Sequence, residues 1–188
     1  TYAAGTLTIS KAAQATLSMS SASSVAFGDT LTLSTSGGSG SGAVTYAVTT
    51  AGTAGCSISG STLSVTGVAG STCAVTATKA ADASYLVATS SAQTITVATR
   101  PITVTASSPS IAFGATVSPS VSVTTGTLSG SDAISGATYT YVGISGTTYA
   151  SSTTAPTAVG TYSVTPSVAV FSTGTSSNYT ITYAAGTL

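Results

Sequence analysis

The sequence has no histidine, no tryptophan and no glutamate, and six charged side chains in 188 residues. Lys11, Lys79 and Arg100 balance Asp29, Asp82 and Asp132, so the formal net charge is zero. Charged residues make up 3 % of the chain, where an ordinary soluble domain has ~25 %. Each absence excludes a class of function. Without imidazole, and with three acids far apart in sequence, general acid–base catalysis and multi-carboxylate metal sites lack their raw material. No residue is a candidate catalytic, cofactor-binding or metal-ligating group, and no enzyme or cofactor is expected. Three cations cannot neutralise a run of phosphates, so nucleic acid is not an expected partner. No run of 18 apolar residues is present, so no segment is expected to span a membrane. A structural or binding role remains.

What the chain does have is hydroxyl: 40 Thr and 35 Ser, about two-fifths of all residues. The apolar fraction is 42 %, mostly Ala and Val. Disorder goes with low hydrophobicity and high net charge, and neither holds. Val, Ile, Thr and Tyr recur in short alternating runs, the signal of strands. The expected class is an ordered, all-β protein. The start, TYAAGTLTIS, has no Met and no signal-peptide pattern and reads as interior sequence.

Repeats carry the strongest signal. Thr1 to Leu7 (TYAAGTL) recurs unchanged as Thr182 to Leu188, which sets a period of 181 residues and reads as one unit of a tandem array plus an overlap. A weaker internal repeat relates Ser24-Val25-Ala26-Phe27-Gly28-Asp29-Thr30 to Ser110-Ile111-Ala112-Phe113-Gly114-Ala115-Thr116. Two sister units therefore alternate, residues 1–98 and 99–188, with residues 1–10 overlapping the last strand of the preceding copy. One joint falls near Ala98 to Pro101 and the other near Ser10 to Gln14.

In the first unit, strands are expected near 16–19, 30–35, 43–49, 56–59, 62–66, 73–79 and 91–97. Gly-rich turns separate them, notably Gly37 to Gly42 and Gly67 to Gly70. Seven short strands in about 90 residues is an immunoglobulin-like pattern, with Tyr46 as its large core aromatic. In the second unit, strands are expected near 101–107, 117–123, 137–143, 159–168 and 177–183. Ser129 to Gly136 is expected to make one helical turn capped by Ser131 or Asp132. That pattern leaves open a related β-sandwich or a β-grasp-like domain.

Residues 56–85, above all Gly67-Val68-Ala69-Gly70-Ser71-Thr72-Cys73-Ala74-Val75-Thr76-Ala77, resemble bacterial Ig-like repeats of large surface proteins. The second unit is similar to MBG-type (YGX type) repeats of bacterial adhesins. The matching pieces are Arg100-Pro101-Ile102-Thr103-Val104, Val159-Gly160-Thr161-Tyr162 and Asn178-Tyr179-Thr180-Ile181-Thr182-Tyr183 with the following Ala184 to Leu188. Phe113-Gly114 stands where that family usually has Tyr-Gly. The resemblance implies an extracellular protein at the bacterial cell surface. In a chain that looks exported, Cys56 and Cys73, the two cysteines, are expected to form a disulfide. The other reading of the pair is two buried thiols.

The same composition invites other chemistry. A Lys–Asn isopeptide or Thr–Gln ester crosslink would draw on Lys11, Lys79, Asn178, Gln14 and Gln93. It would need a buried acid such as Asp29 or Asp82, and solvated loop residues are the simpler reading. TxT tripeptides, as at Thr76–Thr78 and Thr103–Thr105, put two hydroxyls on one strand face. Their irregular spacing argues against an ice-binding rank and for Thr as a β-former that can face water. Asn178-Tyr179-Thr180 is formally a glycosylation sequon, read here as the start of a strand. The nine tyrosines offer sugar-stacking faces, but Tyr139, Tyr141 and Tyr183 alternate within strands and read as packing.

The expected function is a structural repeat of an exported adhesin stalk that holds an adhesive tip away from the cell. Its expected partners are neighbouring copies of the same repeat in one chain. The alternative is a weak glycan- or host-protein-binding module acting through the avidity of many copies.

Overall fold

Alternating β-branched and hydroxyl residues favour the pleated strand because their branched side chains stand clear of the backbone on a sheet. The computed structural model describes residues 2–188, and the chain divides between Ala98 and Thr99 into two units. The first carries β1 (Leu17–Met19), β2 (Ser24–Ala26), β3 (Thr30–Thr32), β4 (Thr35–Gly37), β5 (Val44–Thr50), β6 (Ser57–Ser59), β7 (Thr62–Ser64), β8 (Thr72–Lys79), β9 (Ala88–Thr89) and β10 (Gln93–Ala98). One sheet runs β2-β10-β8-β5, with β9 also on β8; a second runs β3-β7-β6; and β1 pairs with β4. The strand expected over 30–35 is broken, because β3 and β4 join different sheets.

The core of this unit is built from both larger sheets. Val25, Cys73, Val75, Ile95 and Val97 come from one, Leu63 from the other, and Leu33 and Ala54 from the connections. All lie at 6 % exposure or less, while Tyr46 is half-buried against them. The period-two pattern is plainest in β8, where Cys73, Val75 and Ala77 are buried and their neighbours are not. Burying one face of each sheet against the other is the reason the alternation exists.

The second unit carries β11 (Arg100–Ala106), β12 (Val121–Thr125), β13 (Ala133–Ile144), β14 (Thr161–Thr173), β15 (Tyr179–Ala184) and β16 (Gly186–Thr187). Two three-stranded sheets, β12-β11-β15 and β13-β14-β16, form it. Ala106, Tyr141 and Val164 lie at its centre, with Val117, Tyr139, Tyr149, Ala155 and Leu188 packed around them. The helical turn expected over Ser129 to Gly136 is absent. A turn closed by the Asp132 N–H donating to the Ser129 carbonyl leads directly into β13. The Asp132 carboxylate accepts from the Tyr179 hydroxyl at 2.6 Å, and Ser129's N–H donates to that same hydroxyl at 2.9 Å. Among the described residues the helical element is instead a 3-10 turn at Ser176–Asn178.

Both units share one topological feature. An early strand pairs parallel with the last long strand: β2 with β10 over three residue pairs, and β11 with β15 over six, Arg100 opposite Tyr179 through Thr105 opposite Ala184.

Edges are managed by shortness, cover and bulges. β13, at twelve residues, is covered in its second half by Ser152, whose backbone exchanges two hydrogen bonds with Tyr141, and by Tyr149, whose carbonyl accepts from Gly143. In β14 an extra residue, Val168, takes φ +48°, an outlier for a β-branched side chain, and stands 69 % exposed. That bulge turns the Ala169 N–H out of the ladder to the Tyr183 hydroxyl at 2.8 Å. β5, a seven-residue edge, carries a bulge near its end, between Val48 and Thr50.

Candidate functional site

Hydroxyl groups occupy the positions that charge fills elsewhere. Thr78 pairs with Thr89, Thr105 with Thr124, Thr138 with Ser167 and Thr99 with Thr180, at 2.6–3.3 Å. These are cross-strand contacts of the kind that stabilise sheets by tenths of a kilocalorie to about 1 kcal/mol each. Several belong to the TxT tripeptides, so those hydroxyls bond to one another rather than standing as a free rank. Among the described residues, no buried side-chain N or O atom lacks a hydrogen-bond partner.

The three acids are separated. Asp82 is a loop clamp: its carboxylate accepts from the Ser41 N–H at 2.6 Å, the Ser84 N–H at 2.8 Å, the Tyr85 N–H at 2.8 Å and the Ser41 hydroxyl at 3.2 Å. Those donors, with the Ser41 N–H foremost, hold its pKa at about 2, below the usual 3.8. A carboxylate depressed in the folded state contributes stability that is complete above the unfolded pKa. It is lost as pH falls through the folded one. The expected acid limb of the first unit therefore lies between pH 3.8 and about 2. NMR titration of the Asp82 carboxyl should show that midpoint, and Asp82→Asn should remove this contribution to the limb; a midpoint near 3.8 would contradict the clamp. In the second unit, burial and the hydrogen bond to Asp132 push the Tyr179 hydroxyl up from its ordinary value.

Cys56, just before β6, and Cys73, in β8, form a disulfide with Cα atoms 6.3 Å apart. It ties the two facing sheets of the first unit. The crosslink candidates are otherwise engaged or apart. Gln14 donates to the Leu86 carbonyl and Gln93 to the Ser21 carbonyl, while Lys79 lies against the Gly38 carbonyl. Asn178 is 3 % exposed and belongs to the second unit, so the sequon sits in a folded interior. No group of three metal-ligating side chains occurs among the described residues, and no helix there is long and apolar enough to cross a membrane.

The feature that sequence reasoning missed is an apolar groove of about 340 Å³ in the second unit. Ile111, Phe113, Val117, Ala155, Val159 and Leu188 supply its apolar lining, with Gly160 and Tyr162 along one side. Phe113 is 80 % and Val159 83 % exposed, so large apolar groups stand open at its rim. A signal for it lay in the internal repeat. Phe27 and Phe113 occupy the same turn, closed by Asp29 N–H to Ala26 and by Ala115 N–H to Ala112, with Gly28 at φ +78° and Gly114 at φ +85°. Phe27 packs on the first unit's core, whereas Phe113 has nothing comparable over it.

The family model of the MBG domain (YGX type) matches residues 102–188. No curated protein and no solved structure matches the chain.

Proposed function

With an MBG domain over residues 102–188 as the premise, we propose that this chain is a repeat unit of an exported bacterial surface adhesin. Its role is to extend a stalk that carries an adhesive tip away from the cell. The observation that carries this reading is the parallel pairing of early and last long strands in each unit. Two parallel strands run in the same direction, so the chain enters at one end of the sheet and leaves at the other. Over the six pairs of β11 and β15 that displacement is about 20 Å. Such units are suited to joining end to end, and one residue, Thr99, separates β10 from β11.

The heptapeptide supports the same reading. In its second copy, Tyr183 sits in β15, Gly186 is buried where an added Cβ would collide with the Ala106 and Ser107 carbonyls, and Leu188 exchanges two backbone hydrogen bonds with Tyr162 at 2.8 Å. In its first copy, Thr1 lies outside the described residues, Tyr2 and Leu7 are 106 % and 87 % exposed, and nothing lies within 4 Å of a Cβ built on Gly5. The same residues lack in one place the partners they have in the other, as expected of a strand whose sheet belongs to a preceding copy.

Strands of about 7 residues span ~23 Å, so on the stalk reading each added copy lengthens the array by roughly tens of ångströms. Small-angle scattering on two and four tandem copies should give a maximum dimension that nearly doubles. Growth as the square root of copy number would overturn the stalk. The exposed Phe113 beside the groove favours the second reading, a weak glycan- or host-protein-binding module. Binding of a single period on a glycan array would select it.

A further inference from the structure

We infer that the groove of the second unit is the seat of a second copy of Thr8-Ile9-Ser10, following Leu188 in the next period. The isoleucine is the group that enters it. This rests on the tandem-array reading.

The register of β16 on β14 sets the position. β16 pairs antiparallel with β14, Gly186 opposite Val164 and Thr187 opposite Ser163, and Leu188 exchanges both backbone hydrogen bonds with Tyr162. Continuing the ladder sets the next residue opposite Thr161 and the one after it opposite Gly160. In the repeat, Leu7 is followed by Thr8 and Ile9. Residues two apart on a strand share a face. The isoleucine therefore falls on the face of Leu188, which lines the groove, and opposite Gly160, beside the Thr147 side chain and the Tyr162 hydroxyl that stand over that glycine. There it would meet Ile111, Phe113 and Val159, the apolar groups that stand open.

The segment itself is consistent with that seat. Ile9 is 88 % exposed and residues 2–11 are in no strand, yet from Ala12 the chain is held to the first unit. Ala12 donates to the Ser84 carbonyl and accepts from the Leu86 N–H, both at 2.9 Å. Four residues, Thr8 to Lys11, thus separate the end of the heptapeptide from the next fixed point. Seating Thr8 to Ser10 leaves Lys11 as the connection.

The test extends the 188-residue chain past Leu188 by a second copy of Thr8–Lys11. The midpoint of the second unit's thermal unfolding should rise by about 5–10 °C. The Gly160 amide should exchange at least ~10-fold more slowly once paired. Replacing the added isoleucine by aspartate should abolish both effects. An extension with neither effect overturns the inference, even if scattering shows the arrays lengthening linearly. Conversely, a seated isoleucine in arrays that grow as a square root overturns the stalk and leaves the seat standing. Protection of Gly160 in the unextended chain that rises with protein concentration and vanishes in Ile9→Asp would be the same seat filled between molecules, whereas such protection left unchanged by Ile9→Asp would place a different group in the groove and overturn the inference.

Discussion

Replacing Cys56 and Cys73 together by alanine is expected to destabilise the first unit by about 3 kcal/mol, the chain-entropy value for a closed loop of this length. The second unit, which has no cysteine, should unfold as before. Calorimetry of the chain with and without reductant separates the two, because a common shift in both transitions would mean that the bond acts on more than its own unit. The same bond limits extension. It locks the segment from Cys56 to Cys73, a sequence separation of 17, out of the pulled length. Under tension the oxidised first unit should lengthen by ~60 Å less than the reduced one, at about 3.6 Å per residue. An equal increment in both states would show that the bond does not lie in the load path. For a stalk the result is a unit that yields less contour when it fails.

The second large effect concerns the ladder between β11 and β15. Val104 is wholly buried in the middle strand, with Val123 on one side and Tyr183 on the other. Val104→Pro removes a ladder N–H and forces the ring against its neighbours, a cost of about 3 kcal/mol or more. Val123→Pro, on the edge strand β12, is expected to cost less and to leave the β11–β15 pairing in place. Pulling on the chain ends loads the parallel β11–β15 bonds in shear, all together rather than one after another. The rupture peak of the second unit should therefore persist in Val123→Pro and vanish in Val104→Pro. Equal loss in both variants would show that β11–β15 is not the mechanical clamp.

Much of the fold was legible because it depends on period two. β5, β8, β10, β11 and β15 announce themselves by alternating Val, Ile, Tyr and Thr, and their bounds fall within a few residues of expectation. β2, β9 and β16 were not legible. Each has two or three residues and is held by a partner strand rather than by its own pattern. Residues 129–136 misled for a related reason. Ser and Asp cap helices, but they also close turns, and Asp132 here answers to Tyr179, 47 residues away. The disulfide could be anticipated because the chain holds two cysteines. The groove could not, since it exists only where residues 110–117 and 155–160 come together beside β16. Its one trace, the repeated Phe-Gly turn, gives no hint from sequence that one Phe packs and the other stands open.

The hydroxyl pairs have a consequence for how each strand finds its register. A Lys–Glu pair has a sign and rejects the wrong partner; in a Thr–Thr pair either oxygen can donate, so any threonine suits any other. Strands paired in this way thus carry no electrostatic code against slipping by a residue. Discrimination has to come from shape. It is supplied where backbone passes so close that only glycine fits: Gly42 against Ala80, Gly52 against Thr72 and Gly186 against Ser107. A strand shifted by one residue would drive a side chain into a carbonyl at each of these places, so the glycines proofread the register that the charges of other proteins would have written.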